Sequence, residues 1–363
     1  MNLSDITTLE SLPESEALAR IHTVRRQWGK DLCLLAHLYQ RKAIAQLADY
    51  VGDSYGLSQS AAHAEGGKYI VFCGVRFMAE SAAILARSEQ KVIHPDPEAG
   101  CPMADMASLP EVIRAWQGLQ NFTQKAATII PITYMNSTAD IKAFCGERSG
   151  TICTSSNATK TFEWAFRQGQ KIFFLPDEHL GRNTALKYGV KPEEIAVWDP
   201  EKPNGGSSEL YASAKVILWR GYCPVHQKFT TRDIDHVRRY HPGAKVVVHP
   251  ECPSEVVSMA DAVGSTDFIR RYVAEAKPGD HIFIGTEINL VENLASQYPD
   301  RKIHKLHRSL CLTMYQITLG RLLYALENLE TFETVSVPPS TAHFAKVALD
   351  RMLSLGAVGN DQR

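Results

Sequence analysis

The residues with most chemistry to offer are the eight cysteines, at positions 33, 73, 101, 145, 153, 223, 252 and 311. None sits in a CxxC pair, so no local metal signature is present. A lone cysteine is usually a small buried hydrophobe. Three have a different setting. Cys101 closes Asp96-Pro97-Glu98-Ala99-Gly100, Cys223 closes Trp219-Arg220-Gly221-Tyr222, and Cys311 follows Arg308-Ser309-Leu310. Each ends one copy of a recurring strand–helix pattern. Related by that repeat, they become three thiolates around one axis. Three thiolates without a fourth suit a 4Fe–4S cluster with one open iron. Such an iron can act as a Lewis acid on a substrate oxygen or nitrogen. Zinc with three sulfurs and water is the competing assignment. Cys33 and Cys73 lie in or beside apolar strands, and Cys145 and Cys153 flank a short loop, so packing is expected of all four. Cys252, next to Glu251, is a rival ligand.

The elements that must position these thiols recur three times. An apolar run ends in polar residues at Leu32–Ala36 with His37-Leu38-Tyr39, at Ile129–Thr133 with Tyr134-Met135-Asn136, and at Lys245–Val248 with His249-Pro250-Glu251. Short apolar runs bounded by polar residues suit buried parallel strands. A helical stretch follows each, then a hydroxyl cluster: Gly52-Asp53-Ser54, Thr154-Ser155-Ser156 and Gly264-Ser265-Thr266. His37 to Ser54 and His249 to Thr266 are equally spaced. Tyr134 to Ser155 is longer, as a four-residue insertion around Gly146–Gly150 would make it. A helix and a second strand come next (at Tyr69–Phe72, Ile172–Leu175 and His281–Ile284), then a further helix and the cysteine. The middle copy is enlarged near Pro192–Ser213, where Pro203–Ser208 reads as a surface loop.

Alternating strands and helices imply parallel sheets flanked by helices. The expected fold is α/β, with three pseudo-threefold-related αβα domains around a central active site. Ligands of such sheets bind beyond the carboxyl ends of the strands. The expected division is a helical segment at 1–30, domains at 31–126, 127–240 and 241–325, and a helical segment at 326–363. Within it, 14–28, 311–330 and 341–356 read as helices.

Composition narrows the function. The 363 residues carry 39 Lys+Arg against 40 Asp+Glu, a net charge of -1. That disfavours a nucleic-acid surface, which needs clustered base. Apolar residues are 44% and charged residues 22%, as in soluble globular chains. No window of 18 consecutive apolar residues occurs, so no membrane span is expected. The start, MNLSDITTLESLPESE, lacks the basic and apolar regions of a secretory signal. A cytoplasmic location with reduced thiols is expected.

Several segments resemble a known family. These are AHLYQ (36–40) with ADYVGDS (48–54), PEAGCPMADM (97–106), ITYMNST (132–138) with CTSSNA (153–158), GYCPVHQKF (221–229), HPEC (249–252) with ADAVGST (260–266), and SLCLTM (309–314). In this order they resemble the quinolinate synthases, 4Fe–4S enzymes of de novo NAD biosynthesis, over roughly 30–325. One departure is Leu38, between His37 and Tyr39, whose side chain is expected to point away from the site. The resemblance implies condensation of iminoaspartate with dihydroxyacetone phosphate to quinolinate, phosphate and two waters. It implies Cys101, Cys223 and Cys311 as ligands of a cluster with one open iron. It implies His37, Ser54, Tyr134, Met135, Asn136, Ser155, His249, Pro250, Glu251 and Thr266 as substrate-binding, with Tyr39 and His226 near the reacting atoms. Functional coupling to an iminoaspartate-producing aspartate oxidase or dehydrogenase is a further expectation. The alternative is another Fe–S or zinc hydro-lyase on the same scaffold.

Residue chemistry fits anionic substrates. Ser54, Ser155 and Thr266 stand where helices begin, and there N–H groups and hydroxyls bind carboxylate or phosphate, although simple capping uses the same residues. Proton transfers need groups titrating near neutrality. His37, His249 and Glu251 are the candidates, with Glu251 as general acid/base and His249 sharing its proton. Tyr39 is assigned to an isomerisation step. His226 is assigned to protonating a leaving group or bonding near the cluster. Asp53, Asp177 and Arg182 stand at the site edge or in ion pairs. His94, His179, His241, His281, His304 and His307 read as surface or loop histidines.

Overall fold

The computed structural model describes residues 3–63, 67–123, 128–206 and 208–357. It is α/β, with three all-parallel sheets flanked by helices. The first sheet contains β1 (Leu32–His37), β2 (Tyr50–Gly52), β3 (Tyr69–Cys73) and β4 (Lys91–Ile93), in the order β2-β1-β3-β4. The second contains β5 (Ile129–Tyr134), β6 (Thr151–Cys153), β7 (Lys171–Leu175), β8 (Ile195–Trp198) and β9 (Val216–Trp219), in the order β6-β5-β7-β9-β8. The third contains β10 (Lys245–Val248), β11 (Ala262–Val263), β12 (His281–Gly285) and β13 (Lys302–Lys305), in the order β11-β10-β12-β13. First and third sheets therefore share one topology, and the second adds an edge strand.

That added strand corrects one expectation. The enlargement in the middle copy is ordered structure: β8 pairs with β9, and only the short Pro203–Gly205 turn and a helix at Ser208–Ser213 complete it. Ser207 lies outside the described residues. The short strands β2, β6 and β11 also escaped the sequence reading, as did β4, β9 and β13 ahead of each cysteine, because two to four residues carry little periodicity. The expected helix over 311–330 shrinks to Leu319–Glu327. Thr318 caps it by accepting the Arg321 N–H at 3.1 Å, so Cys311 lies in the preceding loop. The last helix runs Pro339–Ala357, through Gly356.

Strand registers align the three copies residue by residue. Leu35 lies opposite Tyr50, Ile132 opposite Thr151, and Val247 opposite Ala262. His37, Tyr134 and His249 are then equivalent, as are Ser54, Ser155 and Thr266. One position behaves differently in the middle copy. Asp49 accepts the Leu34 N–H at 2.7 Å, and Asp261 accepts the Val246 N–H at 2.8 Å. The equivalent strand residue of the middle copy is Pro131, which has no N–H to satisfy. Opposite it stands Gly150, where a Cβ would meet the Pro131 carbonyl oxygen at 2.0 Å.

Asp261 offers a stability test. Burial alone would raise its carboxyl. Hydrogen bonds from Val246 N–H and Arg238, with the Arg238 and Lys245 charges, outweigh burial and hold it below the usual carboxylate range. Asp261→Ala is expected to destabilise the chain by about 1–3 kcal/mol at neutral pH, since it strands a strand amide. A depressed folded-state pKa stabilises above the unfolded value and loses that effect as pH falls. The gap between wild type and variant in urea unfolding should therefore shrink below about pH 4. A gap independent of pH would rule the assignment out.

The described chain divides into two compact units, Met1–Cys101 with Leu310–Pro338, and Pro102–Ser309 with Pro339–Arg363. In the first, Ile21 of the helix Glu14–Trp28 packs with Leu34, Val71, Ile317, Leu322 and Leu326. Arg20 pairs with Glu327 at 2.7 Å on the rim of that core. In the second, the helix Leu109–Phe122 lends Val112, Ala115 and Leu119 to a core with Phe144, Phe173 and Trp219. The helix Pro339–Ala357 packs on the helix Ala139–Glu147 and on β6. Its carbonyls at Ala348 and Met352 accept from Thr151 and Asn157, each at 3.4 Å. Among the described residues no helix is long and apolar enough to cross a membrane.

Candidate active site

Polar residues collect just past the carboxyl ends of the buried strands. In the larger unit, His249 and Glu251 follow β10, Tyr134 ends β5, Asp177 follows β7 and Thr286 follows β12. His226 comes from a short 3-10 turn, His226–Lys228, after Cys223. All are buried, with His226 at 1% exposure, Glu251 at 2% and Asp177 at 0%.

These side chains form a connected network. His226 Nδ1 lies 2.6 Å from Glu251 Oε2, and His226 Nε2 lies 2.9 Å from Thr286 Oγ1. The His226 and His249 rings stack with centroids 4.4 Å apart. His249 Nδ1 is 3.9 Å from Glu251 Oε1 and accepts the Glu251 N–H at 3.4 Å. Tyr134 donates to the Glu251 carboxylate. Burial pushes Glu251 up, but the two imidazoles and the bonds from His226 and Tyr134 overcome it and hold the carboxyl far below its usual range. Asp177 moves oppositely. Burial first, then the Glu251 charge, push it well above the ordinary range. Two buried carboxyls with divergent affinities for a proton suit acid/base work. Thr286 was missed in the sequence. Its signal was available, since it follows a strand end just as Asp177 nearly does.

In the smaller unit, His37 is 3% exposed and ends β1. Its Nδ1 accepts the Tyr39 N–H at 3.1 Å, and the two rings meet edge-on at 4.7 Å. The Glu251 N–H to His249 bond repeats this arrangement in the third copy. Gln40 donates to the Met314 carbonyl at 3.2 Å, and the Arg41 guanidinium sits 3.6 Å over the Tyr315 ring. The turn after β1 is thereby fastened to the segment that follows Cys311. Arg321 forms an ion pair with Asp96, which ties the loop before Cys101 to the same helix.

The three hydroxyls are placed differently from one another. Ser54 and Thr266 are the first residues of the helices Ser54–His63 and Thr266–Glu275. Capping falls to their predecessors: Asp53 accepts the Gly56 N–H at 2.8 Å, and Ser265 accepts the Phe268 N–H at 3.2 Å. Ser155 does not begin a helix. It lies in a turn ahead of Ala158–Gln168, and Asn157 secures that turn by accepting the Thr154 N–H at 2.7 Å. Met135 follows Tyr134 and is buried, with its N–H on the Cys153 carbonyl at 2.8 Å. The Asn136 amide oxygen is buried with no hydrogen-bond partner. The Pro250 carbonyl accepts from Asn183 at 2.8 Å. Arg182 pairs with Glu178 on its own helix at 2.7 Å. His94 is not a surface residue. It is 3% exposed, with Nε2 2.9 Å from the Gly74 carbonyl oxygen.

Thiol environments separate the cysteines. Cys73, Cys145, Cys153 and Cys252 are buried, whereas Cys33, Cys101, Cys223 and Cys311 are partly open. Burial pushes the Cys73 thiol up to about 12. Burial and the Asp49 charge push Cys33 up to about 11, although Arg25 opposes them. Cys145, Cys153 and Cys252 are raised too, each chiefly by burial. Metal ligation needs the thiolate, so these five are poor donors. Cys252 also points its sulfur at the Gly285 carbonyl, 3.7 Å away. Cys101, Cys223 and Cys311 are thus left as the candidate sulfur donors. Cys223, His226 and Glu251 have candidate ligand atoms within 4.8 Å of one another. His226 meets Glu251 and Thr286 through its two nitrogens, so the trio forms a hydrogen-bonded network beside a thiol.

Known proteins place this arrangement. A family profile described as "Quinolinate synthetase A protein" matches residues 19–354. A quinolinate synthase of Acidobacterium capsulatum is 50% identical over 353 residues, spanning 95% of this chain and 94% of its own length. One of Geobacillus kaustophilus is 48% identical over 351 residues, with 95% of each chain covered. One of Listeria monocytogenes is 45% identical over 367 residues, with 98% of this chain and 100% of the relative covered. With nearly its whole length matched, this chain belongs to the quinolinate synthetase A family of enzymes.

Proposed function

We propose that this enzyme condenses iminoaspartate with dihydroxyacetone phosphate to quinolinate, phosphate and two waters, a step of NAD biosynthesis. The observation that carries the reading is the buried Glu251–His226–His249–Tyr134 network beside Cys223, in a chain of this family. The reaction joins the substrates through one C–C and one C–N bond, and carbon and nitrogen acids must gain and lose protons. The Glu251 carboxylate is held ionised and ringed by donors, so it suits orienting His226 and His249 and balancing their charge, and the two imidazoles are the groups proposed to take and return protons. Tyr134 and Asn136 present uncharged hydrogen-bonding groups that orient a carboxylate.

His37, Ser54, Met135, Ser155, Pro250 and Thr266 complete the substrate-binding set in this proposal, and Tyr39 is assigned to isomerisation of the phosphate-bearing partner. The hydroxyls of Ser54 and Thr266 are relieved of capping by Asp53 and Ser265, which supports an anion-binding role. Cys101, Cys223 and Cys311 are proposed to hold a 4Fe–4S cluster, whose open iron would supply Lewis acidity toward a substrate hydroxyl. The donor chemistry supports these three, because burial raises the other five thiols. A cytoplasmic location with reduced thiols, and supply of iminoaspartate by an aspartate oxidase or dehydrogenase, complete the proposal.

The test is anaerobic reconstitution with iron and sulfide, followed by both substrates. A brown protein with about four irons per chain is expected, forming quinolinate and phosphate in equal amounts. Turnover that ignores dihydroxyacetone phosphate would instead make the chain another hydro-lyase.

A further inference from the structure

We propose that Asp177 is a positioning residue that fixes the Cys223 loop against the Glu251 network. The inference rests on the reading of Cys223 as a cofactor ligand and Glu251 as the acid/base group.

The argument starts from a helix cap. Equivalent positions after the second strand of each copy are Val75, Asp177 and Glu287, and each is the N-cap of the following helix. Val75 makes no side-chain cap bond, so this fold does not demand one there. Asp177 accepts the Leu180 N–H at 2.6 Å, as an ordinary cap does. Its carboxyl also lies near enough to the Cys223 backbone N–H for that group to draw its proton affinity down. A side chain serving only its own helix would have no reason to reach that loop.

Neighbouring contacts point the same way. The Glu178 N–H donates to the Gly221 carbonyl at 2.8 Å. Gly221 lies so close to the Pro176 carbonyl oxygen that a Cβ would stand 2.4 Å from it. The Pro176–Glu178 segment therefore clasps Gly221–Cys223 at three successive residues. Asp177 is wholly buried, and its Oδ2 has no hydrogen-bond partner. A buried carboxyl with an unused oxygen is a poor choice for stability alone, since an unsatisfied polar atom is destabilising. Its placement between a ligand's backbone and the acid/base carboxylate gives it a use.

The test reads thiol exposure in reduced apo-protein under anaerobic conditions, by iodoacetamide pulses and peptide mass spectrometry. Asp177→Ala is expected to speed Cys223 alkylation by up to about tenfold, the scale of one lost hydrogen bond between neutral groups, and to leave Cys101 and Cys311 unchanged. Asp177→Asn keeps an acceptor and should restore the wild-type rate and the iron uptake lost in the alanine variant. Should Asp177→Ala fail to fold, Asp177→Ser keeps a short cap without the reach to Cys223, and the same selective increase is expected. An unchanged Cys223 rate in a folded alanine or serine variant overturns the proposal. So does an equal rise at all three cysteines, or failure of asparagine to rescue. Full iron retention in Cys223→Ala would sink the ligand reading and leave the alkylation result standing, so the two failures are distinguishable.

Discussion

Glu251→Gln is expected to lower kcat by roughly 10²–10⁴-fold, the range for loss of a positioned acid/base group, while iron content stays at the wild-type level. Gln keeps the volume and one acceptor, so the Tyr134 and His226 contacts can persist in altered form. What disappears is the charge that both imidazoles face. Removing one member of a buried pair leaves the other without its counter-charge, so some loss of stability accompanies the rate effect. Wild-type Glu251 is held below its usual range. Its stabilising contribution is therefore present above the unfolded carboxylate value and lost as pH falls through the folded one. Stopped-flow or steady-state assays, paired with iron analysis, separate the effects. A Gln variant within a few fold of wild type in kcat would remove Glu251 from the chemistry.

The second large effect concerns sulfur. Cys101→Ala, Cys223→Ala and Cys311→Ala should each lose most of their iron after reconstitution and drop activity by about 10³-fold or more, as expected when several kcal/mol of Lewis-acid stabilisation disappears. Cys252→Ala is the matched control, because that thiol is buried and directed at the Gly285 carbonyl. It should keep its iron and lose stability by about 1–2 kcal/mol, as small core truncations do. Anaerobic absorption spectra with iron and sulfide counts read all four. Iron loss in Cys252→Ala with retention in Cys223→Ala would reverse the assignment.

Much of this was legible in the sequence because the repeat supplies its own alignment. Three apolar runs ending in His37, Tyr134 and His249 announced three parallel strands and the polar ends where ligands bind. The proposal of Cys101, Cys223 and Cys311 as ligands rests on their place in that order. What stayed hidden has physical causes. Edge strands of two or three residues, such as β11, have no measurable alternation. The middle copy's extra strand β8 was masked by the turn-rich Pro203–Gly206, whose composition dominates a short window. Ser155 was misplaced at a helix start because Asn157 stabilises the turn ahead of the helix from within. Thr286 and the second role of Asp177 depend on side chains meeting from distant segments, which spacing does not encode. His94 was read as a surface or loop residue; it does lie in the loop after β4, but neither its neighbours nor its type reveals its burial against the Gly74 carbonyl.

The exchange at Pro131 and Gly150 has a consequence for how the copies can diverge. Aspartate introduced at 150 alone would drive a Cβ into the Pro131 carbonyl oxygen and find no amide to receive. Valine introduced at 131 alone would bury an amide with nothing to accept it. Pro131→Val supplies the missing amide and Gly150→Asp its acceptor, so only the pair can make the bond that Asp49 and Asp261 make elsewhere, and even then the backbone at 150 must move away from the carbonyl of residue 131. The central third of this chain is thus held apart from its siblings by epistasis, and one-at-a-time sequence exchange among the three would fail there first.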